Sequence, residues 1–160
     1  MVSAAARRRP AHGMRGFTMP ELLAVVAIVA ILVSMGAPAY SSMAASMRSR
    51  SVSSELYAAL SLARSEAIKR NAEVALVPVT AQQWQHGWSI TTNGNDSKLD
   101  NHPAVPGATV SGPDSVVYLP NGRVKDGGRP AFDIALSGDG QHRCIRVDLS
   151  GRPNQSKSTC

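Results

Sequence analysis

The sequence lacks the common signatures of catalysis. It contains no Walker, Rossmann or His-Glu-X-X-His motif, and none of its serines or cysteines stands in a nucleophile-elbow context. His12 lies in the basic N-terminal stretch, and the remaining histidines, at positions 86, 102 and 142, lie in polar turn regions. We therefore expect a protein that is not an enzyme and needs no cofactor.

Metal-binding patterns are missing as well. The only cysteines are Cys144 and Cys160, and no histidine stands at ligand spacing from them, so they make a poor zinc site. The stretch 93–100 is rich in Asn and Asp, but its spacing matches no EF-hand loop and its first two residues, Asn-Gly, are a turn signal. We expect no metal site.

Charged side chains are absent between Glu21 and Arg48. Within this interval the apolar run 22–39 is as long as the roughly 18 residues that mark a candidate membrane-spanning helix. Residues 1–16, which precede the run, contain four arginines and no acidic residue. The positive-inside rule therefore places this basic end in the cytoplasm and the C-terminal part on the other side of the membrane.

The position of the small residue Gly16 argues against a secretory signal peptide. Such a peptide has its cleavage site after the apolar run, whereas Gly16 lies before it. A cut at Gly16 would remove the basic leader and keep the apolar segment in the protein. Glu21 places a carboxylate at the start of this segment, where a charge without a partner is costly.

The segment Gly16-Phe17-Thr18-Met19-Pro20-Glu21 resembles the type IV prepilin signature, Gly-Phe-Thr-apolar-X-Glu before an apolar helix. The resemblance implies cleavage between Gly16 and Phe17 by a membrane prepilin peptidase, followed by N-methylation of Phe17. It also implies that Glu21 pairs with the amino terminus of a neighbouring subunit when the helices pack into a filament. An ordinary membrane anchor is the alternative.

The helix is predicted to continue beyond the apolar run. Neither Gly nor Pro occurs over residues 40–71, and apolar residues recur there at helical spacing. The predicted buried face consists of Val52, Leu56, Ala59, Leu60, Ala63 and Ala67, and the predicted outer face includes Arg50, Glu55 and Arg64. Residues 63–71 resemble the Ala-Arg-Ser-Glu-Ala-Ile-Lys-Arg helix end of the GspH/FimT group of minor pilins and pseudopilins. In this segment Glu66 stands at ion-pair spacing from Lys69 and Arg70.

Short β-branched runs separated by Gly, Pro, Asn and Asp follow from residue 73 and predict an antiparallel sheet. The predicted strands are 74–79, 88–92, 116–119, 132–136 and 144–149. Residues 91–113 are predicted to form a variable loop. Trp88 belongs to a segment that resembles the family's Trp-X-X-Gly-Trp element, and we expect it in the core.

Together these features predict an α+β, type IV pilin-like fold, in which a long N-terminal transmembrane helix packs on a C-terminal antiparallel β-sheet domain. Residues 1–16 form the cleaved leader and 17–39 the membrane and filament-packing helix. Residues 40–71 continue the helix, and 72–160 form a GspH/FimT-like globular domain. The location is the inner membrane, crossed once, with the C-terminal domain in the periplasm.

Both cysteines then lie in an oxidising compartment, where disulfides persist. A bridge between Cys144 and Cys160 would close a loop of about 17 residues and contribute about 3 kcal/mol to stability. It would also tie residues 150–160, which read as a flexible polar tail, to the body of the domain.

The C-terminal region also holds a group of cations. In the strand predicted at 144–149 the apolar residues alternate with polar ones, so Arg146 should face outward. The pair Gly151-Arg152 resembles the Gly-Arg-X-Arg element of FimT-type minor pilins, which implies DNA binding, although Asn154 replaces the second arginine. The candidate DNA-binding residues are Arg143, Arg146, Arg152 and Lys157.

Two functions follow from these predictions. The first is a structural one, a minor pilin or pseudopilin of a type IV pilus or a type II secretion filament, with other pilins, prepilin peptidase and the membrane as partners. The alternative is a FimT-like minor pilin that binds DNA during uptake in natural transformation. Only the alternative requires the basic C-terminal region.

Overall fold

The computed structural model describes residues 17–92, 97–136 and 142–160, with the side chains of 35–39 excepted. The chain divides into two compact units, Met1–Ala39 and Tyr40–Cys160. The predicted leader, residues 1–16, lies outside the described residues, and so does the Asn-Gly turn signal of the 93–100 stretch.

Helix α1 spans Met19–Arg70. Its six predicted core residues are all buried, so the predicted helical face is confirmed. Glu66 binds both predicted partners, with 3.6 Å from its Oε1 to Lys69 Nζ and 2.6 Å from its Oε2 to Arg70 Nε. The helix ends where Asn71 adopts a positive φ of 50°, a conformation typical of the residue that follows a helix.

Within the described residues, eight strands form two antiparallel four-stranded sheets. The first sheet has the order β3-β2-β1-β5 and the second the order β4-β6-β7-β8. The strands are β1 (Val74–Thr80), β2 (Gln83–Thr92), β3 (Ser97–His102), β4 (Ala108–Ser111), β5 (Val116–Tyr118), β6 (Ala131–Leu136), β7 (His142–Val147) and β8 (Pro153–Ser156).

All five predicted strands exist, but two loop predictions are wrong. Residues 91–113 contain β3 and β4, and the tail predicted at 150–160 contains β8. β3 and β8 lie at the edges of their sheets and expose most of their side chains, so they lack the apolar alternation that reveals a half-buried strand. The strand predicted at 144–149 ends earlier, at Val147, because Asp148 begins a turn.

One hydrophobic cluster joins the second half of α1 to both sheets. Trp84 is fully buried, meets Phe132 edge-on with 4.8 Å between ring centroids, and donates its indole N–H to the Pro113 carbonyl. Trp88 is 1% exposed, which confirms its predicted place in the core. These large rings fix the positions of the strands that carry the candidate site.

Candidate functional site

The N-terminal end of the described chain is an exposed apolar helix. Gly16 lies outside the described residues, and Phe17 is 77% exposed. Large apolar side chains along residues 19–33 are at least half exposed, a surface of the kind that marks an interaction site. Within the described part of the chain, no helix is long and apolar enough to cross a membrane.

Glu21 caps its own helix. Its Oε2 accepts a hydrogen bond of 3.4 Å from the Thr18 backbone N–H, and the Thr18 carbonyl accepts the N–H of Leu22 at 3.1 Å. Thr18 therefore occupies the N-cap position and Glu21 the third helical position, as in a capping box. The interpretation of the sequence missed this role, although the Thr-X-X-Glu spacing signals it.

The predicted disulfide is present between Cys144 and Cys160, whose Cα atoms are 5.0 Å apart. Cys144 is buried on β7, whereas Cys160 belongs to the exposed segment that follows β8. Arg146 donates a hydrogen bond to the Cys160 carbonyl, on the same side of β7 as the disulfide. The bridge and Arg146 together hold the segment 157–160 against the second sheet.

The four predicted DNA-binding cations do not form one surface. Arg143 is 8% exposed and lies on the core-facing side of β7, opposite Arg146. Arg146 is exposed, but it already binds the Cys160 carbonyl. Arg152 and Lys157 are exposed, and no hydrogen bond from either side chain to another described residue is present. Arg146 uses only one terminal nitrogen for its bond to the Cys160 carbonyl, so Arg146, Arg152 and Lys157 are all available to a ligand.

Arg64 is also placed differently from the prediction. Instead of facing solvent, its Nε donates to the Gly122 carbonyl at 2.9 Å and a terminal nitrogen donates to the Ser150 carbonyl at 3.3 Å. These carbonyls belong to two turns, residues 119–123 and 148–152. Arg64 thus links α1 to both turns from the inside.

Further cations surround this region. Arg123 follows Gly122 in the first of these turns, and its Nε donates to the Leu149 carbonyl at 3.1 Å. Arg129 and Arg146 line an open groove of about 700 Å³, which runs along β8 and the turn before it. Sequence reasoning missed Arg123 and Arg129, although Gly-Arg occurs at 122–123, 128–129 and 151–152 and signals a repeated element.

Asp148 shapes the second turn, and its charge interacts with that of Arg152. Its Oδ1 accepts hydrogen bonds from the Ser150 hydroxyl at 2.6 Å, the Ser150 N–H at 2.8 Å and the Arg152 N–H at 2.9 Å. The hydrogen bonds from Ser150 and Arg152 lower the pKa of Asp148 below its ordinary value. The carboxylate stays charged, and its Oδ1 is directed into its own loop.

Comparisons with known proteins agree with this fold. The family model described as type II transport protein GspH matches residues 52–151, and that of the prokaryotic N-terminal methylation motif matches residues 12–37. No curated protein matches the chain by sequence.

Solved structures of three related chains show the same fold. Two crystal structures of the type IV minor pilin FimU of Pseudomonas aeruginosa are each 23% identical to this chain, with TM-scores of 0.60 and 0.61. Each match covers 67% of this chain. The matched parts are 91% of the first FimU chain and 87% of the second. The minor pseudopilin EpsH from the type 2 secretion system of Vibrio cholerae is 11% identical, with a TM-score of 0.55, 69% of this chain covered and 97% of its own. At these identities the likeness shows the fold, while the family rests on the GspH model, which spans well over half of the chain. The protein therefore belongs to the GspH family and is a minor pilin or pseudopilin.

Proposed function

We propose that this protein is a non-enzymatic subunit of a type IV pilus or type II secretion filament. A membrane prepilin peptidase cleaves it after Gly16, and Phe17 becomes the N-methylated first residue. Before assembly the protein crosses the inner membrane once, with the C-terminal domain in the periplasm. The observation that supports this proposal best is the exposed apolar helix that begins at Met19, two residues after Phe17, and carries Glu21 in its first turn.

The capping bond of Glu21 suits an exchange of partners during assembly. At 3.4 Å it is longer than a usual N–H···O hydrogen bond, and the carboxylate is exposed. A charged amino terminus on an adjoining subunit would form a shorter bond in which both donor and acceptor are ionised, whereas only the acceptor is ionised in the capping bond. The subunit thus exchanges a weak bond within its own helix for a stronger one between helices.

Substitutions at Glu21 separate these two roles. Glu21→Gln retains a side chain that can cap the helix but has no charge, whereas Glu21→Ala removes both functions. We expect both variants to be cleaved normally and to be absent from purified filaments, as measured by immunoblotting of sheared filaments. Incorporation of Glu21→Gln at the wild-type level would contradict the pairing with an amino terminus.

Processing is tested separately at Gly16. Gly16→Val should leave the precursor at full length, because the peptidase must accommodate the side chain next to the scissile bond. Mass spectrometry of the wild type should show a chain that begins with N-methylphenylalanine. An unmethylated wild-type chain that still carries the leader would contradict the prepilin interpretation and favour an ordinary anchor.

DNA binding is the second candidate function, and exposed cations near the C-terminus support it. Arg143 is buried, so the exposed cations Arg146, Arg152 and Lys157 remain from the predicted set. Arg123, which the sequence did not single out, lies in the turn packed against that of Arg152. Exposed arginines of this kind bind phosphates without reading sequence. A gel-shift titration of the full-length protein with duplex DNA tests this function, and no shift at low salt would exclude it.

A further inference from the structure

Two turns in this protein have the same backbone hydrogen-bond pattern. In residues 119–123, the Leu119 N–H donates to the Arg123 carbonyl at 2.9 Å, and the Gly122 N–H donates to the Leu119 carbonyl at 2.8 Å. In residues 148–152, the Asp148 N–H donates to the Arg152 carbonyl, and the Gly151 N–H donates to the Asp148 carbonyl, both at 3.0 Å. We call these the first and second Gly-Arg turns.

A glycine with positive φ stands at the same place in both turns. The φ angles are 76° for Gly122 and 80° for Gly151, in the left-handed region that other residues seldom adopt. An arginine follows each glycine directly. The two turns therefore present Arg123 and Arg152 from equivalent backbone positions.

The turns pack back to back with no room between them. A Cβ atom at Gly151 would lie 1.9 Å from the Gly122 carbonyl oxygen and 3.2 Å from the Arg123 Cα. Because neighbouring Cα atoms are about 3.8 Å apart and a Cα–Cβ bond is about 1.5 Å, the Cα atoms of Arg123 and Arg152 lie within about 8.5 Å of each other. Both side chains are exposed, so they can reach one extended anion.

Three contacts stiffen this pair of turns. Arg64 donates to the Gly122 and Ser150 carbonyls, and Arg123 donates to the Leu149 carbonyl. The Arg123 bond uses only Nε, and no partner of its terminal nitrogens is present among the described residues. The guanidinium is thus oriented before a ligand arrives, which reduces the entropy lost on binding.

We propose that Arg123 and Arg152 form one phosphate-binding site, in which each arginine contacts a phosphate of the same duplex DNA backbone. This inference rests on the proposed DNA-binding function. Arg123 supplies the second arginine that the sequence lacks at position 154, where Asn154 stands. The site is made from two turns distant in sequence rather than from one C-terminal segment.

The experiment measures the salt dependence of DNA binding by the full-length protein and its variants. Each phosphate contact contributes about −0.9 to the slope of log K against log salt for duplex DNA. Arg123→Ala and Arg152→Ala should each make the slope less negative by about 0.9, and the double variant by about 1.8. Arg50→Ala is the matched control, because Arg50 is exposed on α1 and should leave the slope unchanged.

Arg123→Lys distinguishes a phosphate contact from damage to the turn. Lysine keeps the positive charge but loses the hydrogen bond from Arg123 Nε to the Leu149 carbonyl. A salt slope equal to that of the wild type would therefore support a direct contact between the cation at position 123 and a phosphate. A slope as shallow as that of Arg123→Ala would overturn the proposal. A change of the salt slope for Arg152→Ala without one for Arg123→Ala would overturn the paired site but leave the proposed DNA-binding function standing. If the wild type did not bind DNA at all, both the paired site and the DNA-binding function would be excluded.

Discussion

Replacing Cys160 with serine removes the bridge to Cys144 with little other change, because Cys160 is exposed and Cys144 is buried. The cysteines are 16 positions apart. For a closed loop of about 17 residues, the chain-entropy relation gives about 3 kcal/mol of stabilisation at 25 °C. A domain of this size loses about 3 to 4 °C of melting temperature per kcal/mol, so Cys160→Ser should melt about 10 °C below the oxidised wild type.

The assay is thermal unfolding of the full-length protein followed by circular dichroism, with and without a reducing agent. Reduction should lower the melting temperature of the wild type to that of Cys160→Ser and leave the variant unchanged. Ser158→Ala, in the same exposed segment, is the control for a change that leaves the bridge intact. Two titratable thiols in the folded wild type, or a reduced protein that melts within about 2 °C of the oxidised one, would refute the argument.

Three further substitutions test the pair of Gly-Arg turns. Arg64→Met keeps most of the apolar stem but leaves the Gly122 and Ser150 carbonyls without their donor, and it should cost about 1 to 3 kcal/mol, measured by urea unfolding. Gly151→Ala should destabilise the protein by more than the ~1 kcal/mol typical of a point mutation, since its Cβ would lie 1.9 Å from the Gly122 oxygen. A melting temperature equal to that of the wild type would contradict the close packing of the two turns. Asp148→Ala should lower the melting temperature at pH 7. The difference from the wild type should shrink as the pH falls below 3.8, the ordinary pKa of the carboxyl group. The pKa of Asp148 is lowered in the folded protein, so its charged form stabilises the fold above this pH and the stabilisation is lost as the group is protonated.

The sequence predicted the helix better than any other element. A helix that packs against a sheet must repeat its apolar residues every three or four positions, and the face from Val52 to Ala67 does so without interruption by Gly or Pro. Burial therefore follows directly from spacing. The paired cysteines were equally accessible to prediction, because two cysteines permit only one intramolecular bridge.

The two exposed edge strands, β3 and β8, were beyond this kind of prediction. An edge strand is held by hydrogen bonds along one side only and need not bury side chains, so β8, with its sequence Pro-Asn-Gln-Ser, resembles a loop. Its place depends on pairing with β7, which also fixes the register between Arg146 and Asn154. Asn154, which stands at the position of the motif's second arginine, is therefore held in a strand rather than in a flexible tail.

The prediction that Arg143 belongs to an exposed basic surface was wrong for a different reason. The alternation of side chains along β7 already indicates that Arg143 is buried. Residues two apart in a strand share a face, so Arg143 must lie on the same side as Ile145 and Val147, both buried, whereas Arg146 lies on the other side. Counting cations along the sequence overlooks this alternation and assigns both arginines to one patch.

The inward placement of Arg64 follows from a contact that no local pattern encodes. Its spacing in α1 puts it at the border of the buried face, where an arginine can bury its stem and extend its charged end to a polar group. Which group it meets depends on two turns that are 58 and 86 positions away in sequence. Those turns can accept it because their glycines bring two carbonyls close together. The helix, through one arginine, thereby orients the loops that present Arg123 and Arg152, so a substitution on α1 that never touches a ligand should still weaken binding at the Gly-Arg turns.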